Sequence, residues 1–175
     1  GFSHPTACIL PAALAMAEEA GATGGDVVAA VCVGLEVFER MSLSGRQHEP
    51  ELRRRGFHPT SLYGGSAAAA AAGSVVRLNP NQMAVAIGLA AANAGGLTQH
   101  FGTWGKGIHA GNAARAGVTS VLLAKKDYFA DPDGIEGDRE EGQRVPIRLG
   151  RRQQPRPVVT LLSGHGRESR RDARL

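Results

Sequence analysis

The sequence predicts an all-α, helical bundle-like fold, and three observations support this prediction. Hydrophobic residues make up 42% of the chain, but they are mostly alanine, valine and leucine, with one Trp, two Tyr and five Phe. This composition suits helices whose backbones approach closely, rather than a sandwich of β-branched and aromatic side chains. Val27, Val31, Leu35 and Phe38 recur at helical spacing. Before Gly137 no segment shows the sustained alternation that is typical of strands.

The first half of the chain contains the first two of five predicted helices. Residues 7–20 favour helix, and Gly21 is a plausible C-terminal cap. Asp26 is predicted to cap the second helix, which runs to about Met41. The charged segment 44–56 is predicted to be a connector.

The third, fourth and fifth predicted helices lie further along the chain. Thr60 opens one of them, and an alanine run follows it. The next has a strong start, because Asn79 can cap it, Pro80 suits the first helical position and Gln82 stands at the capping-box offset. The predicted bounds are 60–76 with the alanine run 67–72, then 79–94, then a glycine-rich loop 95–111, and finally a helix over 112–126.

The chain divides by composition into residues 1–137, one helical domain, and residues 138–175, an arginine-rich tail. The tail contains ten arginines and five acidic residues, whereas the remainder has ten basic and eleven acidic residues. Because the basic charge belongs to the tail, a nucleic-acid-binding body is not predicted. Composition favours a disordered or non-native tail over a functional basic arm.

Cys8 and Cys32 both lie in apolar stretches and are predicted to be buried thiols in a reducing compartment. No Cys/His cluster has zinc spacing. The sequence has no apolar run long enough to cross a bilayer and no recognisable signal peptide, so the expected location is cytoplasmic and no membrane partner is expected. The absence of an initiator Met suggests a fragment.

A short motif occurs twice, as Gly-Phe-Ser-His-Pro-Thr at 1–6 and Gly-Phe-His-Pro-Thr at 56–60. Because proline disfavours helix at the residue before it and fits a first helical turn, His4 and His58 should lie where helices begin. The positive end of a helix attracts anions and favours a neutral imidazole. If the two turns converge, they form a carboxylate site with an acid/base pair. The alternative is two capping turns with surface histidines.

The second candidate is the glycine-rich segment 102–112, which contains Lys106, His109 and Asn112. Lys106 is one of only three lysines, and its flanking glycines allow close approach of a ligand to the backbone. Its ammonium group can pair with a carboxylate. The alternative is a solvated lysine in an ordinary loop. The order of a phosphate-binding P-loop is absent.

The other polar features are less specific. His48 and His100 are predicted to lie on the surface, and His165 has no informative context. The run Arg53–Arg55 could steer an anionic substrate, but a charge run is usually a solvated face.

Several stretches in this order resemble the MmgE/PrpD family, which includes 2-methylcitrate dehydratase, cis-aconitate decarboxylase and iminodisuccinate epimerase. Together they span almost all of residues 3–137. The matching stretches are HPTACILPAALAMAE (4–18), VCVGLEVFERM (31–41), RRGFHPTSLYGGSAAAAAAG (54–73), GKGIHAGNAARAGVTSVLLA (105–124) and DPDGIEG (131–137).

The resemblance implies a lyase-type enzyme acting on a small polycarboxylate such as 2-methylcitrate or cis-aconitate. It places His4, His58 and Lys106 in the active-site pocket, with a histidine as acid or base and Lys106 as the carboxylate anchor. His109 would orient the lysine loop, and His109 and Thr60 are the expected substrate-binding residues. No metal or organic cofactor is implied, and family members commonly form homodimers.

The chain departs from the family pattern in three ways. The acidic motif upstream of the first His-Pro and the mixed α/β lid domain are not in this sequence, and the lysine is flanked as Gly-Lys-Gly where many members have Thr-Lys-Pro. The alternative function is therefore a catalytically incomplete structural or interaction fragment. The abrupt change in composition after Gly137 suggests that residues 138–175 come from a shifted reading frame or a gene truncation, which sequencing of the gene would test.

Overall fold

The structure is a computed structural model that describes residues 3–44 and 49–135, without the side chains of Glu49 and Pro50. Within these residues the fold is entirely helical, which confirms the predicted all-α class, and none of the helices is long and apolar enough to cross a bilayer. The tail 138–175, His48 and His165 lie outside the described residues. The helices are α1 (Thr6–Ala20), α2 (Gly24–Ser44), α3 (Glu49–Arg54), α4 (Pro59–Val75), α5 (Pro80–Ala91) and α6 (Gly105–Lys125), with a 3₁₀ turn at Thr98–His100.

Helix α4 is the centre of the domain and packs against α1, α2, α5 and α6. All six alanines of 67–72 are fully buried, and nearly every other residue of the helix is buried. A helix that is apolar on all sides must be surrounded by other elements, because no face of it is suited to water. The alanine run is therefore a surface for close helix packing.

Two glycines on neighbouring helices explain how closely the backbones approach α4. A Cβ added at Gly117 of α6 would lie 2.6 Å from Ala68 Cβ and 2.7 Å from the Ala69 nitrogen. A Cβ at Gly34 of α2 would lie 3.0 Å from the Ala67 carbonyl oxygen. Because these separations are shorter than van der Waals contact, only glycine fits at either position without movement of α4.

The start of α5 agrees with its sequence prediction, whereas the start of α2 corrects it. Asn79 Oδ1 accepts from the Gln82 N–H at 2.9 Å and Gln82 Oε1 accepts from the Asn79 N–H at 3.2 Å, a complete capping box. In α2 the reciprocal bonds join Thr23 and Asp26, so Thr23 precedes the helix and Asp26 lies in its first turn. A threonine three residues before an acid predicts this arrangement, and Asp26 alone does not.

Two segments that were predicted to be irregular contain helix. The connector 44–56 includes α3, which is stabilised by ion pairs from Arg54 and Arg55 to Glu51 at helical spacing. The glycine-rich loop is shorter than predicted, because α6 begins at Gly105 instead of residue 112. Glycine has low intrinsic helix propensity, but packing of α6 against α1, α4 and α5 outweighs it.

The two cysteines lie in different environments. Cys8 is buried, and burial raises the pKa of its thiol to about 11, so it remains protonated at neutral pH. Cys32 is exposed, so its predicted burial was wrong. Helix α2 packs against α1 and α4 on one side only, and Cys32 lies on its other, solvent-facing side although the surrounding sequence is apolar. Both thiols are free.

Candidate active site at the start of helices α4 and α6

His58 is the residue that precedes α4, as the second His-Pro-Thr motif predicts. Its backbone is extended (φ −95°, ψ 109°), and Pro59 occupies the first helical position. The His58 N–H donates to the Gly96 carbonyl oxygen at 3.0 Å, and the Thr98 N–H donates to the Gly56 carbonyl oxygen at 2.7 Å. The turn before α4 is therefore fixed to the 96–98 segment at a defined register.

Gly96 has the backbone conformation that lets the two segments pair in this register. Its φ is +97°, a left-handed conformation that favours glycine. A Cβ at this position would lie 2.9 Å from Ser61 Cβ and 3.2 Å from Cγ of His109. Gly96 thus allows the segment to pass directly over the start of α4 and the His109 ring.

The rings of His58 and His109 are in direct contact. Their Nδ1 atoms are 3.1 Å apart and both side chains are buried, with His58 only 3% exposed. His109 lies on α6, one turn after its start, and Ser61 Oγ of α4 donates to its backbone carbonyl oxygen at 3.1 Å. The packing of α4 against α6 therefore determines the distance between the two imidazoles.

Phe101 and Lys106 lie next to this pair. The Phe101 ring meets His58 edge to face with 4.9 Å between centroids. Lys106 Nζ lies 4.9 Å from the Phe101 centroid, within cation–π distance. His100 meets His109 edge to face, with 5.6 Å between centroids.

His4 is joined to the site through Thr60. The His4 N–H donates to Thr60 Oγ1 at 3.0 Å, and the Thr60 carbonyl oxygen accepts a weak bond from Cys8 Sγ at 3.5 Å. Thr60 is buried and the His4 side chain is exposed. The two His-Pro-Thr turns therefore lie together, which is the condition stated for a shared site, although the backbone of one contacts a side chain of the other.

The environment of the histidine pair favours neutral rings. Burial lowers the pKa of His58 to about 4, with smaller electrostatic contributions from His109, Lys106 and His4. Burial, with a smaller contribution from His100, also lowers the pKa of His109. The direction for His58 agrees with the sequence prediction, but burial and positive neighbours are the causes rather than the positive end of the helix. At neutral pH each ring therefore has one N–H that can donate a hydrogen bond and one nitrogen lone pair that can accept a hydrogen bond or a proton.

Each of the predicted site residues lies at this end of the bundle, which we call the histidine end: His4, His58, Thr60, Lys106 and His109. Sequence reasoning did not identify Phe101, His100 or Gly96 as residues of the site. His100 was predicted to be a surface residue, and it is exposed but its ring also contacts His109. The pair Gly95-Gly96 predicts a turn, but its sequence gives no indication that Gly96 lies beside Ser61. Over the described ranges, no group of three or more His, Cys, Asp or Glu side chains has a geometry that could hold a metal ion.

Comparison with known proteins supports the resemblance stated above. The family model described as the MmgE/PrpD N-terminal domain matches residues 2–145. Cis-aconitate decarboxylase of Homo sapiens is 32% identical over 142 residues, which is 79% of this chain and 28% of that protein. Cis-aconitate decarboxylase of Aspergillus terreus is 35% identical over 133 residues, covering 73% of this chain and 27% of the relative.

The chain spans a little over a quarter of the length of these curated relatives. The matched region includes the histidine end and the buried helix α4. The chain belongs to the MmgE/PrpD family.

Proposed function

We propose that the histidine end is part of the active site of a lyase that removes carbon dioxide or water from a small polycarboxylate, with cis-aconitate as the first substrate to test. The observation that carries the proposal is the contact between His58 and His109, two buried imidazoles with lowered pKa values, next to Lys106. An imidazole that is neutral at the working pH can accept a proton without first losing one to water, and the imidazolium that results can donate it again. The two family relatives named as cis-aconitate decarboxylases support this choice of substrate.

The roles of the residues follow from their environments. His58 is the proton-transfer residue, because its ring is buried, neutral and held on both sides. Lys106 binds a substrate carboxylate through its ammonium group, as a flexible point charge. In a decarboxylation, the bond to the departing carboxylate breaks and its electron pair stays on carbon. A histidine that has first accepted a proton from solvent at its free ring nitrogen then donates that proton to the carbon and becomes neutral again.

His4, Thr60 and His109 support these two residues. The exposed ring of His4 is a second proton donor or acceptor at the edge of the site. Thr60 acts on substrate binding through His4, because its buried hydroxyl accepts the His4 N–H. His109 holds both the His58 ring and the first turn of α6, which includes Lys106.

The test is a turnover assay of the purified 175-residue chain with cis-aconitate, 2-methylcitrate and citrate. Carbon dioxide release and alkene absorbance distinguish decarboxylation from dehydration, and human cis-aconitate decarboxylase is the positive control. We expect turnover of at least one substrate and its loss in Lys106→Met. Lys125→Met is the matched control, because Lys125 is an exposed lysine at the far end of the same helix. Equal effects of the two lysine changes would contradict the role of Lys106.

A second candidate is a catalytically incomplete interaction module. Trp104 is 98% exposed and Ile108 is 61% exposed, and both lie beside Lys106 in the chain. Exposed apolar side chains that cluster around a polar site favour contact with further polypeptide. If the chain binds cis-aconitate in a titration, seen as shifts of the Lys106 and His58 resonances, but turns over none of the three substrates, this second function is favoured.

A further inference from the structure

The contact between His58 and His109 restricts how the two rings can be protonated. Two Nδ1 lone pairs facing each other at 3.1 Å would repel, and two N–H groups would place their hydrogens in contact. Only one proton fits between the two nitrogens. When both rings are neutral, one is therefore the Nδ1–H tautomer and the other is the Nε2–H tautomer.

The environment keeps both rings neutral and in place. The groups that act on His58 are His109 and Lys106 on α6 and His4 before α1, and the group that acts on His109 is His100. These groups are basic, so none of them supplies the negative charge that would raise the pKa of either imidazole. A Cβ added at Gly96 would lie 3.2 Å from Cγ of His109, so the Gly96 backbone closes one side of this ring. Ser61 Oγ donates to the His109 carbonyl oxygen and holds its backbone in place.

We infer that His109 is a positioning residue that holds His58 as the Nδ1–H tautomer, so that the Nε2 lone pair of His58 is free to take a proton. The opposite tautomers follow from the geometry alone, and the assignment of the shared proton to His58 rests on the proposed function. In this arrangement the His58 Nδ1–H donates to the Nδ1 lone pair of His109, and the Nε2 of His109 carries the other proton.

The arrangement also stabilises the product of proton transfer. When Nε2 of His58 takes a proton, the ring becomes an imidazolium and its Nδ1–H still donates to His109. No proton moves to His109, and the hydrogen bond becomes charge-assisted and therefore stronger. The role matches that of an orienting group behind a catalytic base, which selects the tautomer without being protonated itself. Here the orienting group is a neutral imidazole, so it stabilises the imidazolium less than a carboxylate does.

Nitrogen NMR of the uniformly ¹⁵N-labelled 175-residue chain at pH 7 tests the inference directly. Proton–nitrogen couplings distinguish a ring nitrogen that carries hydrogen from one that carries a lone pair. We expect Nδ1–H for His58 and Nε2–H for His109. The same tautomer on both rings would overturn the restriction, and Nε2–H on His58 with Nδ1–H on His109 would overturn the assignment.

Substitutions at His109 test whether it causes the tautomer of His58. His109→Leu removes the acceptor, so we expect His58 to shift toward the Nε2–H form. His109→Asn can place an amide oxygen near the former Nδ1, so it should keep His58 as Nδ1–H. His109→Asp should keep the same tautomer and raise the pKa of His58, because a carboxylate favours the imidazolium. An unchanged His58 tautomer in His109→Leu would contradict the positioning role.

Asn112→Leu is the matched control, because Asn112 is exposed on the same helix three residues later. It should leave the His58 spectrum unchanged. If His109→Leu does not fold, as judged by its thermal unfolding curve, His109→Asn and His109→Asp still test the inference through the tautomer and the pKa of His58.

The NMR spectra test the tautomer inference and the turnover assay tests the proposed function, so failure of one can be told from failure of the other. If the tautomers are as predicted but no substrate is turned over, the proposed function fails and the geometric restriction stands. If the chain is active, we expect His109→Leu to lower kcat by about 10- to 100-fold, with smaller change in KM, and His109→Asn to restore part of the loss. Activity in His109→Leu equal to that of the unchanged chain would overturn the inference.

Discussion

The two His-Pro-Thr turns have the same local sequence but different surroundings. His4 precedes α1 with an exposed side chain, and its only described hydrogen bond to another turn is through its backbone N–H. His58 precedes α4 with a buried side chain that contacts His109 and Phe101. Both prolines place their histidines at the start of a helix, but only α4 is surrounded by other helices. The difference shows that the tripeptide places its histidine at the start of a helix, whereas the neighbouring helices determine whether the ring is buried and which side chains it contacts.

The largest expected difference between the turns is in catalysis. His58→Asn should lower turnover of the polycarboxylate substrate by about 10²- to 10⁴-fold, the usual contribution of a general acid or base. His4→Asn should cause a smaller loss, because the exposed ring of His4 lies in a more water-like dielectric where electrostatic effects are weaker. The measurement is kcat for both variants on the same substrate. Equal losses would remove the proposed distinction between the two histidines.

The next largest effect concerns the glycine that fixes the second turn. Gly96→Ala should lower the free energy of unfolding by about 3 kcal/mol, because it combines a positive φ with a Cβ that would lie 2.9 Å from Ser61 Cβ. Gly21→Ala is the matched control at the end of α1, where φ is +62° and no atom lies within 4 Å of the added Cβ. It should cost about 1 kcal/mol. Denaturant unfolding of both variants would measure the difference, and similar losses would contradict the close contact at Gly96.

Lowering the pH should lower the free energy of unfolding, because it protonates His58 of the second His-Pro-Thr turn. The pKa of His58 is about 4 in the folded chain and 6.5 as an ordinary histidine. Between pH 6.5 and pH 4 the unfolded chain therefore binds a proton that the folded chain does not, so stability falls as the pH is lowered through this window. We expect a loss of about 2 kcal/mol, which is less than the full pKa shift corresponds to because solvent screens part of the effect. The lowered pKa of His109 acts in the same direction.

Unfolding curves at pH 7, 5.5 and 4 would measure this loss. In His58→Asn the dependence over this window should be weaker, because the substituted side chain does not titrate. The carboxyl groups of Asp26 and Glu51, whose pKa values are lowered by hydrogen bonds, affect stability only as the pH falls below their ordinary range. A pH profile that is the same in the unchanged chain and in His58→Asn would show that the buried ring is not responsible.

The smallest expected effect concerns the bond that links the two turns. Thr60→Val keeps the shape of the side chain but removes the acceptor of the His4 N–H, so it should cost about 1 kcal/mol. Thr119→Val on the exposed side of α6 is the control and should change stability by less than about 0.5 kcal/mol. Thermal unfolding of the two variants side by side measures the difference. Equal stability in both would show that the link contributes little.

Much of the fold was predictable because its signals are local. The capping box at Asn79 and Gln82 satisfies backbone groups within four residues, and the buried alanine run on α4 follows from composition. The errors have a different origin. The beginning of α6 was placed after its glycines because their intrinsic propensity is low, and the contacts that outweigh it are made with helices distant in sequence.

The sequence by itself determined the all-α class, the positions of His4 and His58 before helices, and the family to which the chain belongs, because each depends on residues close together in the chain or on their order. Only the tertiary structure decided that His58 is buried against His109, that Thr60 joins the two turns, and that Gly96 passes over the site. Those contacts join residues that are 38 to 56 positions apart. No local pattern fixes such distances, since they depend on how closely α4 packs against α6 and α1.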